Sequence, residues 1–278
     1  MTLGNLVCGF GAIYYSARTG ETSVPTPFGW SPLTIAGSLI FLGMLFDAVD
    51  GSVARLTRST SDLGAQLDSL ADVVTFGVAP AFMMLRLVSL YYGKGEVILG
   101  PDAGTIYAKI IWSIAAVYIC CTALRLARFN AETTGAEEDD HRWFKGLPSP
   151  GAGGTVAALI LLHQHLSYVT FSGKEEPASF APIGALAIPA VTLLCAFAMV
   201  SRLRYPHFVN RYLKGRKSFA FMAGLVMVLA AGAWWFHWVL ALGLVAYALS
   251  GPAYALMGAR STGMESAAAD PGHADPHA

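Results

Sequence analysis

The sequence predicts an all-α, polytopic membrane bundle of about eight transmembrane helices. Composition is the first reason: 55% of the 278 residues are hydrophobic and only 13% charged, about half the charged share of an ordinary soluble domain. The second is length, since several apolar stretches approach the ~20 residues needed to cross a bilayer. The third is the asymmetric placement of Lys and Arg between those stretches.

Taken in order, the first span is Thr2–Ala17, followed by a polar, Pro-containing loop through Ser31. The second runs Pro32–Arg55, the third from about Asp62 to Tyr91, and the fourth Ile106–Phe129. An acidic run, Glu137–Asp140, marks the next loop as solvated surface. Leu147–Val169 and Pro182–Leu203 follow, then a basic loop, then Phe219–Trp235 and Trp238–Met257. Residues 1–258 read as one membrane-embedded domain, and 259–278, rich in Ala, Gly, Asp and His, as a disordered tail. No internal repeat is visible, and no basic region precedes a cleavage site, so no signal peptide is expected.

If the Leu56–Ser61 turn faces the cytoplasm, alternating loops place thirteen of the 18 Lys and Arg on that side and five opposite. The positive-inside rule therefore predicts that this turn and both termini are cytoplasmic, in the cell membrane. Zero net charge argues against a nucleic-acid partner. Cys8, Cys120, Cys121 and Cys195 lie in apolar runs without zinc-type spacing and read as packing residues. His163 and His165, two apart on different helical faces, read as an interfacial helix end rather than a metal site. Arg86 is expected to snorkel to the outer interface.

Chemistry concentrates in Asp47 to Asp72, DAVDGSVARLTRSTSDLGAQLDSLAD. Asp47 and Asp50 are three apart and Asp68 and Asp72 four apart, so each pair shares a helical face. The turn between them is short enough to fold the two helices antiparallel and bring the faces together. Carboxylates gathered in an apolar place need cations, and hard divalent ions with oxygen ligands are the remedy. Two such ions would neutralise a diphosphate and make its phosphorus more electrophilic. Gly51 and Gly64 leave room for a nucleotide, Arg55 is a permanent cation for phosphate oxygens, and Ser61 offers a hydroxyl in the turn. An aspartate at the metal edge can take a proton from an incoming alcohol, and Asp72 is favoured.

The pattern Asp47-x2-Asp50-Gly51-x2-Ala54-Arg55-x8-Gly64-x3-Asp68-x3-Asp72 resembles the signature of the CDP-alcohol phosphatidyltransferase family at every position. The resemblance implies that Asp47, Asp50 and Asp68 bind two divalent cations, magnesium or manganese, and that Asp72 is both ligand and catalytic base. It also implies that Gly51, Arg55, Gly64 and Ser61 surround the CDP moiety, and that the protein is a membrane-embedded homodimer. TLGNLVCGFGAI at the start, ADVVTFGVAP (Ala71–Pro80), LRLARFN (Leu124–Asn130) and FKGLPSPGAG (Phe144–Gly153) resemble the family's phosphatidylserine synthase branch. They assign Thr2 and Asn5 to CDP-diacylglycerol. Relatives usually carry a basic, amphipathic segment ahead of TLGN.

The resemblance implies transfer of a phosphatidyl group from CDP-diacylglycerol to L-serine, with release of CMP. Serine carries a carboxylate beside its hydroxyl, so its pocket needs a cation. Arg125, Arg128 and Lys145 are candidates, with Asn130 and Ser149 as hydrogen-bond partners and Arg142 a weaker choice. The same chemistry on glycerol 3-phosphate, an inositol phosphate or choline is the nearest alternative. A membrane prenyltransferase would lack the Asp-Gly-x2-Ala-Arg core, and a cation transporter should show paired repeats.

Overall fold

One helical rod runs through the middle of the molecule. The computed structural model describes residues 1–21, 26–57, 62–93, 98–133, 143–171, 180–206 and 235–268. Its helices are α1 (Thr2–Ala17), α2 (Pro32–Thr57), α3 (Asp62–Asp72), a π-helical segment (Val73–Val78), α4 (Ala79–Tyr92), α5 (Ile106–Thr133), α6 (Ser149–Phe171), α7 (Phe180–Val200) and α8 (Phe236–Ala268). Helix therefore dominates, as composition predicts, with one addition. Strands β1 (Trp143–Lys145) and β2 (Arg204–Pro206) pair antiparallel, with Phe144 opposite Tyr205.

The rod is α3, the π segment and α4, continuous over the third predicted span. Over an 18-residue apolar stretch within Leu63–Tyr92, 72% is buried, against 28% in the corresponding stretches of Pro32–Gly51 (α2) and Ile106–Ala131 (α5). From Ala71 to Ser89 the rod is therefore core, whereas Leu63 to Leu67 at the start of α3 is exposed. Phe76, Met83, Met84, Leu87 and Val88 are fully buried along it. An element apolar on all sides can be stable only at such a centre. Pro80 explains the break in α-helical pairing: it has no N–H, so the Phe76 carbonyl lacks its usual partner. Tyr118 on α5 replaces that partner, its hydroxyl donating to Phe76 O at 3.0 Å.

Helix α1 is patterned as a membrane helix, with small and polar residues inward and bulky apolar ones outward. Asn5, Cys8, Gly9, Ala12 and Ser16 form its buried face, while Leu3, Val7, Phe10 and Tyr14 are exposed on the other. A Cβ on Gly9 would stand 2.5 Å from Thr75 Oγ1 and 2.8 Å from Thr75 Cα. The glycine thus lets α1 lie directly on the π segment. At the far end Arg86 does not snorkel outward. It is 5% exposed, and it donates to Ser16 O at 3.1 Å and also to Thr19 O. Ser16 O also accepts the Thr19 N–H at 3.1 Å, so Arg86 adds its charge to the carbonyl end of α1, where a buried cation is favoured by the helix dipole.

The ribbon ties the entry of α6 to the exit of α7. Gly146 N donates to Leu203 O at 2.8 Å and Leu147 N to Ala198 O at 3.0 Å. Gly146 has φ +84°, and a Cβ there would lie 2.3 Å from Met199 O, so only glycine fits. Tyr205, fully buried, carries the ribbon to α8 by donating to Ala248 O at 3.1 Å.

Five described helical stretches are long and apolar enough to cross a membrane, which supports an integral membrane protein. Helix α1, with 16 residues, is shorter than a full crossing, and the predicted span Phe219–Trp235 lies outside the described residues. Helix α8 continues to Ala268, into the stretch where composition predicted a disordered tail; Ala-rich sequence is also helix-forming sequence. His163 is 4% exposed, more buried than an interfacial position, with its ring Nε2 2.8 Å from Ala181 O.

The packing of α1 makes a direct prediction. Gly9→Val should destabilise the detergent-solubilised protein by about 1–3 kcal/mol, read as a lower melting temperature. Gly243→Ala, at a site with nothing within 4 Å of the added carbon, should cause no loss.

Candidate active site

Helices α2 and α3 carry the four aspartates, and α1 fixes how they meet. One carboxylate oxygen from each of Asp47, Asp68 and Asp72 lies within 4.8 Å of the other two. The three-residue and four-residue spacings give each helix one acidic face, and the two faces converge. Asp50 stands outside this group of three, but its charge acts on both Asp47 and Asp68. From α1, Thr2 Oγ1 donates to Asp50 Oδ2 and Asn5 Nδ2 donates to Asp72 Oδ1 at 3.0 Å. Thr2 and Asn5 are three residues apart and so lie on the same face of α1. Thr75, in the π segment, donates to the Asn5 carbonyl at 2.9 Å. Thr2 and Asn5, assigned from sequence to the lipid nucleotide, are here the hydrogen-bond donors that hold two of the aspartates.

The residues fit a hard divalent cation. All donors are carboxylate oxygens, and oxygens on opposite sides of such an ion stand roughly 4–5 Å apart. Asp72 is 7% exposed, and Asp68 Oδ1 is buried with no hydrogen-bond partner among the described residues. Repulsion among carboxylates in so little water is relieved by a cation bound between them. Beside them Gly51 and Gly64 are exposed, and a Cβ on Gly51 would meet nothing within 4 Å. That leaves open space next to the acidic faces.

Positive charge comes from α5. The Arg125 guanidinium acts electrostatically on Asp72, and its Nη1 donates to Ser149 Oγ at 2.8 Å, at the start of α6. Ser149 is fully buried, while Arg125 Nε is buried and has no partner among the described residues. Arg128 lies three residues further along α5, half-buried. Asn130 Nδ2 donates to Ser69 Oγ on α3 at 2.8 Å. The backbone of Lys145 pairs with Arg204 in the ribbon. The structure thus sets Arg125, bonded to Ser149, within electrostatic reach of Asp72, and joins Asn130 to the aspartate helix. Ser61 and Arg142 lie outside the described residues, as do the side chains of Arg55 and Lys145.

Sequence reasoning missed three supporting residues. Thr75 and Ser69 act through single hydrogen bonds to other elements, and no spacing rule reports those. Tyr118 had an indirect signal in Pro80, whose missing N–H calls for an outside donor four residues back.

Residues 1–181 match the model of the CDP-alcohol phosphatidyltransferase family. Among curated proteins, a CDP-diacylglycerol–serine O-phosphatidyltransferase from Helicobacter pylori is 32% identical over 170 residues, 61% of this chain and 60% of that protein. One from Methanocaldococcus jannaschii is 32% identical over 63% of this chain and 65% of its own length. A third, from Bacillus subtilis, is 32% identical over 208 residues, 75% of this chain and 88% of that protein. The matches thus span less than two thirds of the first two relatives and most of the third. With the aspartate signature intact and the family model covering more than half of its length, this chain belongs to the CDP-alcohol phosphatidyltransferase family.

Proposed function

We propose that this protein transfers the phosphatidyl group of CDP-diacylglycerol to L-serine within the membrane, giving phosphatidylserine and CMP. The observation that carries the reading is the convergence of Asp47, Asp68 and Asp72 beside the Arg125–Ser149 pair. The names of the relatives support serine as the acceptor, and so does a buried guanidinium whose Nε has no partner among the described residues, as a carboxylate-bearing alcohol requires.

Two divalent cations, magnesium or manganese, held by Asp47, Asp50, Asp68 and Asp72, would neutralise the diphosphate and polarise its phosphorus. The chain's own groups do the rest. Asn5 occupies Asp72 Oδ1, which leaves Oδ2 to accept the serine hydroxyl proton. The serine oxygen then bonds to the β-phosphorus while the bond from that phosphorus to the CMP oxygen breaks, and CMP leaves with the electron pair. Arg125 orients the acceptor carboxylate. Gly51 and Gly64 give the nucleotide room, with Arg55 and Ser61 on its phosphates. The direct attack needs no covalent enzyme intermediate.

The same reading places eight crossings in the cell membrane, with Phe219–Trp235 and the shorter α1 added to the described spans and to α6. The active site and both termini face the cytoplasm, supported by the distribution of Lys and Arg. It also includes a homodimer, supported by the family resemblance.

CMP release by the purified protein from CDP-diacylglycerol and magnesium should require serine and stop with chelator. Asp72→Asn should lower kcat by about 10²–10⁴-fold without unfolding the protein. Release with glycerol 3-phosphate or an inositol phosphate in place of serine would keep the mechanism and overturn the acceptor. Asn5→Ala should lower kcat by about tenfold, because it frees the Asp72 carboxylate to turn. An unchanged kcat would show that Asn5 has no positioning role.

A further inference from the structure

Helix α8 lies beyond the residues that match the family model, yet it reaches the corner where Arg125 and Ser149 meet. Tyr247 is the residue that reaches it. Its ring packs on Gly151, two residues from Ser149; a Cβ on Gly151 would stand 2.9 Å from Tyr247 Cε1. Tyr247 and Arg125 act on each other electrostatically.

The ring is held from behind as well. Tyr205 packs against it at 5.9 Å between centroids with the planes at 57°. Tyr205 is itself fixed by its bond to Ala248 O at 3.1 Å and by Gly251, where a Cβ would meet the Tyr205 ring at 2.4 Å. Tyr247 is therefore a preorganised phenol, half-buried. Arg125 donates to Ser149 Oγ, and its Nε is buried without a partner among the described residues, so the corner holds unspent hydrogen-bonding capacity. A cation together with an acceptor hydroxyl matches a zwitterion with a carboxylate and an ammonium on adjacent atoms.

We propose that Tyr247 is a specificity-determining residue for the acceptor: its hydroxyl receives the amino acid's ammonium while Arg125 takes the carboxylate. This rests on the reading of Arg125 as the acceptor site. The C-terminal helix thereby becomes part of the active site, anchored to the α6 and α7 connections through the Tyr205 ribbon.

The test uses the full chain in mixed micelles with CDP-diacylglycerol and magnesium. KM and kcat are measured for L-serine, with 3-hydroxypropionate, which lacks the ammonium, as alternative acceptor or competitive inhibitor. Tyr247→Phe keeps the ring on Gly151 and Tyr205, so the packing is preserved. It should raise the serine KM about tenfold, leave the KM for CDP-diacylglycerol unchanged, and leave the affinity for 3-hydroxypropionate unchanged. Tyr247→Leu, which removes the hydroxyl and the ring that packs on Gly151, should raise the serine KM at least as much. Serine-dependent turnover with an unchanged serine KM in Tyr247→Phe would overturn the role of Tyr247 and leave the serine reading standing. An equal loss of affinity for serine and 3-hydroxypropionate would overturn it too, since that pattern reports general damage to the corner. A wild-type protein that releases CMP only with an acceptor lacking an ammonium would overturn both.

Discussion

Carboxylates and a bilayer are poor companions, and the fold is arranged around that conflict. Asp47, Asp68 and Asp72 converge at the end of a bundle whose walls are almost entirely apolar. Each charge taken from water costs several kcal/mol unless it is compensated. Compensation comes from Thr2 and Asn5 on α1 and from Arg125, and a divalent cation of the kind the donor set fits would supply the rest. Remove any of these and the remaining carboxylates repel one another in a medium that screens them weakly.

Helix α1 is the element that makes the arrangement specific. Its N-terminal turn holds Asp50 and Asp72 through Thr2 and Asn5. Its middle lies on Thr75 at Gly9, and its C-terminal carbonyls are tied down by Arg86. A helix fixed at three levels cannot rotate without moving two aspartates. Its outer face carries Leu3, Val7, Phe10 and Tyr14, an apolar surface of the kind that faces lipid.

Much of this was legible in the sequence, for identifiable reasons. Long apolar runs report spans because a bilayer has a fixed thickness, and the predicted bounds of α1 match the observed helix. The aspartate spacings report shared faces because helical geometry is rigid. What stayed hidden depends on tertiary approach. Arg86 looked like an interfacial anchor because nothing local reveals that the end of α1 lies beside it. That Thr2 and Asn5, read as ligand contacts, also donate to Asp50 and Asp72 depends on α1 lying across α2 and α3, which no local pattern reports. Tyr247 was invisible, since its partners Gly151 and Tyr205 come from distant segments. The ribbon was missed because its two strands are too short for any alternating pattern.

The central claim is that α1, α2 and α3 assemble a metal centre from separate carboxylate faces. Manganese binding to the purified protein without nucleotide, followed by electron paramagnetic resonance, tests it most directly. Bound manganese whose affinity falls at least about tenfold in both Asp47→Ala and Asp68→Ala, with the melting temperature of the metal-free protein kept, is the result expected. Manganese bound equally tightly by wild type and both variants would contradict the account, because it would place the ion somewhere other than between the two helices.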